Sequence, residues 1–418
     1  MAGFLSSERK TNSLLVTGSK RILIYMPIIY RVLVLAGLLT GLQSGALAAT
    51  AVQPVRDDEV LEVLQTVTRN RPVQTTSQAG TRSTSADPAA AAKQARQDIS
   101  VARQTGDTRY WGRAQAALAP WWDRPEAPAE LAVLQATVQG GRHEFSASRA
   151  VLTATLARAP GYAQGWLNLA ALERLSARYP ESLAACDAVT RAGQALYAEA
   201  CRLETKSLQG EHQVAAQGLQ SLISQAGDAG QRSWLLSLLA ESDERWGHDA
   251  AAADAYARSL AAEHDLYTAI AFSDLLLRTG KTAQAEQILA PLPATDAVVL
   301  RRAAAWKRLG DARWSTERQL LRTRVEELQR RGDDTSLHGR ELALAALWLD
   351  EDATQALQFA RSNLRLQREP LDWWVALQSA RLAKDGAAQA EIESAIRAAG
   401  LRDARLLSAN AAAAKGAK

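Results

Sequence analysis

The sequence predicts an all-α protein built as a solenoid of stacked helix-turn-helix repeats. The main observation is a pattern with a period of about 33 residues: a helical run, a glycine, then a small residue followed four positions later by an apolar one. Hairpins of this kind cannot bury their apolar faces alone and stack on their neighbours. The pattern occurs twice in succession, as Leu239, Ala240, Gly247, Ala252, Tyr256 and as Phe272, Ser273, Gly280, Ala285, Leu289.

The composition supports the same fold class. The chain has 12 Pro and 25 Gly among 418 residues, so few positions interrupt helices. No sustained alternation of Val, Ile and Thr follows residue 70, and strands are therefore not predicted. Because repeat arrays grow by addition of units, the length does not require several globular domains.

The N-terminus has the pattern of a secretory signal peptide. Val32–Leu42 is an apolar run that follows Arg31 and precedes Ala46-Leu47-Ala48, a small-x-small cleavage pattern. The run is short for a membrane span. We therefore expect residues 1–48 to be a signal peptide cleaved after Ala48, and the mature protein to be periplasmic in a cell with two membranes.

Two other interpretations of this region remain open. An uncleaved anchor over Ile22–Leu42 would hold the protein on the membrane, facing the periplasm, although Pro27 and Arg31 interrupt that stretch. A start at Met26 would give a compact leader, so we interpret residues 1–25 as a misassigned upstream extension.

Net charge gives no support for a nucleic-acid partner. The chain has 49 basic and 45 acidic residues and a pI of about 9.1. The excess lies in the predicted signal peptide, which has one acidic residue, Glu8, and five basic ones: Arg9, Lys10, Lys20, Arg21 and Arg31. The remainder is formally neutral, whereas phosphate-binding surfaces carry basic charge.

Residues 49–97 are predicted to be a short N-terminal segment followed by a flexible linker. A short helix is expected around Val60–Leu64, whereas residues 70–97 are rich in Thr, Ser, Gln, Pro and Ala and have almost no large apolar side chains. Such a composition buries too little surface to offset the entropy of ordering. The helical pattern begins near Ala102, and we place the repeat array at residues 98–315.

The clearest repeat follows Pro160. Its first helix has Trp166, Leu169 and Ala170, and its second helix has Tyr179, Ser182 and Cys186. This arrangement resembles the tetratricopeptide repeat, whose 34-residue unit carries aromatic, aliphatic and small residues at such positions. The resemblance covers roughly residues 100–400 and implies a right-handed superhelical solenoid that binds a protein or peptide in a concave groove, without catalysis or a cofactor.

The repeat pattern weakens toward both ends of the array. Phe145, Leu152 and Leu156 fit the second helix of an earlier unit, and Trp374, Leu377 and Ile392 fit a degenerate pair near the end. The charged stretch Leu320–Arg331 breaks the spacing, which predicts a longer helix or a changed packing angle. We therefore assign residues 316–410 to degenerate helical repeats and residues 411–418 to a disordered tail.

Cys186 and Cys201 are the only cysteines. They fall on successive predicted helices, and an exported protein meets an oxidising compartment. A disulfide between them would stabilise the fold by roughly 3 kcal/mol. The alternative is two buried, apolar thiols, because the sequence does not give the distance that bridging requires.

The sequence offers no clear catalytic, metal or cofactor site. It has no Gly-rich phosphate loop after a strand, no HExxH and no GxSxG. No histidine forms a two-residue ligand pattern with a second His or Cys; the five are His143, His212, His248, His264 and His338. We therefore predict a protein that is not an enzyme and binds no metal.

The resemblance implies a partner-binding surface at positions two, five, nine and twelve of each first helix, and the candidate residues are taken from the first three. If Gly210, Gly247 and Gly280 mark the same turn, these positions form an aromatic row and an acidic row with small or aliphatic residues between them: Tyr197, Trp234 and Tyr267; Glu204, Glu241 and Asp274; Ala200, Ser237 and Ile270. Such a surface would favour an extended segment with basic and apolar side chains. The alternative is that the aromatics pack between repeats and the acids form a solvated edge.

A second candidate surface is an arginine row, Arg361, Arg365 and Arg368, at helical spacing. It could receive a carboxylate or phosphate, or it could be a solvated face whose stems cover apolar surface. At the level of the whole protein, two alternatives to an exported scaffold remain. One is an enzyme of cell-wall metabolism with a helical superstructure, and the other is a membrane-tethered assembly factor that keeps its N-terminal anchor.

Overall fold

The computed structural model describes residues 87–332 and 334–406, and every regular element in these residues is helical. The predictions for the signal peptide at 1–48, for residues 49–86 and for the tail at 411–418 lie outside the described residues. None of the described helices is long and apolar enough to cross a membrane.

Eighteen α-helices follow one another along the described chain. Their bounds are α1 Pro88–Thr105, α2 Arg109–Leu118, α3 Ala129–Gly141, α4 Phe145–Arg158, α5 Ala163–Leu175, α6 Tyr179–Arg191, α7 Ala195–Leu208, α8 His212–Ser224, α9 Ala229–Trp246, α10 Asp249–Ala262, α11 Leu266–Arg278, α12 Thr282–Leu289, α13 Asp296–Leu309, α14 Arg313–Arg330, α15 Gly339–Ala345, α16 Ala353–Asn363, α17 Pro370–Leu382 and α18 Gly386–Ala399. Short 3-10 helices occupy Ala119–Trp121 and Thr335–His338, and a π-helical turn, Ala346–Asp350, extends α15.

The helices pack as nine consecutive hairpins, from α1 with α2 to α17 with α18. First helices of neighbouring hairpins also contact one another, as α3 does with α5, α5 with α7, and α7 with α9. Each hairpin therefore buries its apolar side against the next one in series, which is the packing that defines a solenoid. The predicted all-α solenoid of repeats is confirmed; its right-handed sense stays a prediction.

A residue in the left-handed backbone region reverses the chain in each of the nine hairpins. Glycine, which adopts positive φ without steric cost, fills five of these turns: Gly106, Gly210, Gly247, Gly280 and Gly310. The other four turns use His143, Ala177, Glu351 and Lys384. The repeat therefore runs through the whole described chain, including the hairpins whose turns contain no glycine.

Helix α1 corrects the predicted linker, which was expected to continue to Gln97. The helix begins at Pro88, and the Asp87 side chain caps it by accepting a hydrogen bond from the backbone N–H of Ala89. Its buried face is made mainly of small residues, such as Ala92 and Ala95, which pack against α2 and α3. A segment with few large apolar residues therefore still forms a packed helix, because its small residues fit closely against α2 and α3.

The predicted longer helix is α14, which has 18 residues, of which Leu321 alone is buried. The predicted division beside it does not separate two cores. One apolar cluster joins Val299 of α13 to helices α15 to α18, and it also includes Tyr179 of α6 and Leu208 of α7. The C-terminal helices are therefore packed against the earlier hairpins, in the same core.

Of the two alternatives for the cysteines, the structure contains the disulfide. Cys186 in α6 and Cys201 in α7 are bonded, with their Cα atoms 5.7 Å apart. Both side chains are fully buried in the central apolar cluster. The bridge thus ties the second helix of one hairpin to the first helix of the next.

Candidate functional site

The predicted groove residues lie on the first helices α7, α9 and α11, but none of them is exposed. Trp234 is 3% exposed, and Glu204, Ser237 and Ala200 are also buried. The remaining members of the set, Tyr197, Glu241, Tyr267, Ile270 and Asp274, are half-buried. These positions therefore do not form an open groove, because side chains of the neighbouring hairpins pack against them.

The aromatic row exists as a set of packed rings. The Tyr197 and Trp234 rings lie 5.8 Å apart between their centroids. The Tyr197 hydroxyl accepts a hydrogen bond of 2.9 Å from the Gln231 amide, and the Tyr267 hydroxyl donates one of 2.8 Å to the Glu241 carboxylate. These contacts join neighbouring hairpins. They agree with the alternative hypothesis that the aromatic side chains pack between repeats.

Each member of the acidic row has an arginine partner. Glu204 lies 2.7 Å from Arg174, a residue of α5. Glu241 lies 3.6 Å from Arg245, one turn along its own helix. Asp274 forms two hydrogen bonds of 2.7 Å with the guanidinium of Arg301, a residue of α13. Much of the negative charge of the row is therefore neutralised within the array itself.

Burial raises the pKa of two carboxyl groups in this row, Glu241 and Glu204. Removal from water raises the pKa of Glu241 to about 7; the nearby Arg245 opposes the shift, and the like charge of Glu204 adds to it. Burial also raises the pKa of Glu204, against the attraction of Arg174 and Arg245. The pKa of Tyr267 is raised well above its usual value, again mainly by burial.

The chain's own C-terminal residues cross the ends of these first helices. The backbone N–H of Arg368 donates to the carbonyl oxygen of Leu175, the last residue of α5, at 2.7 Å. The backbone N–H of Arg402 donates in the same way to the carbonyl of Leu208, the last residue of α7, at 2.8 Å. Terminal helix carbonyls lack intrahelical partners, and these two receive them from a distant part of the chain.

Residues 401–406, here called the C-terminal segment, pass over two consecutive hairpin turns. A Cβ atom added to Gly210 would lie 3.0 Å from the Arg402 side chain, and one added to Gly247 would lie 3.3 Å from Ala404. The segment leaves α18 at Gly400, is non-helical over 401–403 and is helical over 404–406. It therefore lies directly on the turns of the hairpins α7–α8 and α9–α10.

Two apolar side chains and one arginine anchor the C-terminal segment. Leu401 and Leu406 are 2% and 4% exposed and belong to the apolar cluster that contains Tyr179 and Leu208. The Arg405 guanidinium lies 2.5 Å from Asp403 and 3.0 Å from Glu244, near the end of α9. On its other side, Arg381 of α17 donates to the Leu406 carbonyl at 3.2 Å.

The arginine row Arg361, Arg365 and Arg368 matches the solvated-face alternative. All three side chains are exposed. Arg361 pairs with Glu391 of α18 at 2.5 Å, whereas Arg365 and Arg368 bond to groups on their own turn of the chain. The row thus makes intramolecular contacts along an exposed surface.

A small cavity of about 50 Å³ lies between the early hairpins. Its walls include Phe145, Leu172 and Leu175, with the polar side chains of Asn168 and Arg103 at its border. Among the described residues, no group of three or more His, Cys, Asp or Glu side chains is arranged to hold a metal ion.

The nine stacked hairpins decide the class of fold. The described chain is an all-α solenoid of helix-turn-helix repeats. No protein-family model matches the sequence, and no curated protein matches it either.

Two solved structures align with this chain. A tetratricopeptide repeat protein from Parabacteroides merdae aligns over 62% of this chain and 99% of its own, with 13% identity and a TM-score of 0.37. The tetratricopeptide-repeat domain of P58(IPK) aligns over 72% and 99%, with 15% identity and a TM-score of 0.21. At such low values neither likeness adds to the fold assignment, which rests on the consecutive helical hairpins.

The C-terminal segment lies outside the residues that the sequence predicted to bind a partner. Leu401, Arg405 and Leu406 were assigned to the end of the degenerate repeats, with no role in binding. The sequence does contain a pattern that could have indicated this segment: a stretch with apolar and basic residues follows Gly400, the glycine that ends a helix. Its chemistry is that predicted for the ligand of the array, although the chain itself supplies it.

Proposed function

We propose that the protein is an exported, non-catalytic scaffold whose tetratricopeptide-like array binds a segment of another protein. Support comes from one observation: the ends of α7 and α9 already hold a short piece of polypeptide, the C-terminal segment. The contacts are a backbone hydrogen bond to Leu208, an ion pair with Glu244 and two buried leucines. Such a combination of main-chain and side-chain contacts is how proteins bind peptides.

The preferred ligand carries basic and apolar side chains. Glu244 near the end of α9 pairs with Arg405 of the segment as well as with Arg278 of α11, and the apolar cluster around Tyr179 and Leu208 accepts aliphatic side chains. Burial of a few such anchors in pockets accounts for most of the free energy in peptide recognition. The mature body is formally neutral, so recognition depends on this local arrangement and not on a long-range basic field.

Export to the periplasm is the second part of the proposal. The signal-peptide pattern before Ala49 and the buried disulfide between Cys186 and Cys201 both support it, because disulfides persist in oxidising compartments. N-terminal sequencing of the protein isolated from its cell tests this. A start at Ala49 is expected; a start at Met1 or Met26 in the membrane fraction would favour the membrane-tethered alternative.

Partner recovery tests the scaffold. The mature chain, immobilised through an N-terminal tag, is exposed to an envelope extract, and bound proteins are quantified by mass spectrometry. We expect at least one protein to be retained by the wild type and by Arg258→Gln, an exposed change on α10, and retained at least five-fold less by Glu244→Gln. Equal recovery with an unrelated helical bait would contradict the scaffold. Release of soluble fragments from purified cell wall would instead favour the enzyme alternative.

A further inference from the structure

The C-terminal segment is joined to the rest of the fold by a glycine hinge. Gly400 ends α18 in the left-handed region, with φ of 74°, and no atom lies within 4 Å of where its Cβ would be. Glycine has a wider range of allowed backbone angles than any other residue. Beyond the hinge, residues 401–406 contact the ends of α7 and α9 on one side and α17 on the other.

The contacts that hold the segment are those of a bound peptide. One main-chain bond, Arg402 to Leu208, fixes its position on the turn. One ion pair joins Arg405 to Glu244, a carboxylate that Arg278 of α11 also contacts at 3.2 Å, and Asp403 holds the Arg405 guanidinium from within the segment. Leu401 and Leu406 supply the buried apolar surface.

We infer that residues 401–406 are an internal ligand, occupying in cis a site that accepts in trans a partner segment of the same chemistry: an apolar residue, two arginines and a second apolar residue. The inference rests on the proposed function and names both the site and its ligand. The C-terminal segment then acts as a built-in competitor that a partner must displace.

The tether makes the competition unequal. A segment attached to its site through a short connection has an effective concentration on the order of millimolar. A free peptide with the same contacts therefore competes poorly with the wild-type chain. Loosening the C-terminal segment in cis, while leaving the array unchanged, removes this disadvantage and exposes the site.

The experiment uses the full mature chain and a fluorescent peptide with the sequence of residues 400–406. The Arg405→Glu chain places a carboxylate beside Asp403 and Glu244, so the C-terminal segment is repelled in cis. By fluorescence anisotropy, we expect this chain to bind the peptide at least ten-fold more tightly than the wild-type chain does. Arg258→Glu, a charge reversal on the exposed side of α10, should behave as the wild type.

A second peptide tests the chemistry of the site. A peptide that carries the Arg405→Glu change should bind the opened chain at least ten-fold more weakly than the unaltered peptide, because it meets Glu244 with like charge. Equal binding of the two peptides, or no binding to a folded Arg405→Glu chain, overturns the inference. Peptide-independent dimers formed by the wild type at micromolar concentration would overturn it too, since the segment would then join two copies.

Hydrogen exchange on the wild-type chain keeps the inference testable if the variant does not fold. We expect the Arg402 amide to exchange at least ten-fold faster than the amides of α7 and α9, through local opening of the segment. Exchange of all of them at one common rate would make the segment part of the permanent core and overturn the inference. If the Arg405→Glu chain recovers the same amount of a partner as the wild type, the scaffold function is retained and only this binding site is rejected.

Discussion

Glu241 is a carboxyl group in an environment that disfavours its charge. Burial raises its pKa to about 7, from 4.5 in a solvated peptide, although Arg245 lies 3.6 Å away. Between these two pH values the folded state binds a proton that the unfolded state has lost. The stabilisation from this group is therefore complete below about pH 4.5 and is lost as the pH rises through 7.

Replacing this carboxyl with an amide should remove that dependence. In Glu241→Gln the amide oxygen still accepts the hydrogen bond from Tyr267 but has no charge to desolvate. We expect the free energy of unfolding of the variant, relative to the wild type, to rise between pH 5 and pH 8, as measured by urea titration at each pH. Asp254→Asn, an exposed change on α10, should give a constant difference. Parallel stability curves for Glu241→Gln and the wild type would contradict the assignment.

Lys384 adopts a backbone conformation that suits glycine. Its φ of 55° lies in the left-handed region, which costs a residue with a Cβ roughly 1–2 kcal/mol. We expect Lys384→Gly to stabilise the protein by about 1 kcal/mol in urea unfolding, and Gly280→Ala to destabilise it by about the same amount. Gly280 is a matched control because its φ is 77° and nothing lies within 4 Å of its Cβ position. If the free energy of unfolding changes in neither variant, the left-handed conformation of these turns carries no energetic cost for a residue with a Cβ, and the prediction is wrong.

At the scale of elements, the disulfide fixes α6 to α7. It closes a loop with a sequence separation of 15 residues, and both cysteines are buried. We expect Cys186→Ala/Cys201→Ala to lose roughly 3 kcal/mol of unfolding free energy, by restoring entropy to the unfolded chain. The wild type measured under reducing conditions should lose a similar amount. Two free thiols in the unreduced, unfolded wild type would contradict the bridge.

The sequence predicted the repeating helices well where glycine marks the turn between two helices. It predicted them less well where another residue fills that turn. Gly247 and Gly280 mark two turns plainly, but Ala177 and Lys384 fill equivalent turns without any local signal. The stacking of the hairpins imposes the left-handed conformation on these residues, which do not favour it themselves. Similarly, α1 forms because Ala92 fits closely against later helices, and this long-range contact has no local sequence pattern.

At the scale of the whole molecule, the accessibility of the predicted groove could not be predicted from sequence. The repeat register brought Glu241 close to Tyr267, so it located residues that do contact one another. Their burial comes from rings and hydrogen bonds between adjacent hairpins, while α15 to α18 and the C-terminal segment pack beside them against Tyr179 and Leu208. That packing joins hairpins that are far apart along the chain, whereas repeat patterns describe only contacts between neighbours.

This long-range packing should couple distant hairpins in stability. In a solenoid with contacts between neighbours only, a destabilising change weakens adjacent repeats and fades with distance. Leu377 in α17 is 1% exposed and shares its apolar cluster with Leu208. Leu377→Ala should cost roughly 2–5 kcal/mol and accelerate amide exchange at the end of α7 as well as in α16 to α18. Leu289→Ala, equally buried in a different cluster, should leave the end of α7 protected. Acceleration confined to α16–α18 in Leu377→Ala would mean that the C-terminal helices rest on the earlier hairpins without stabilising them.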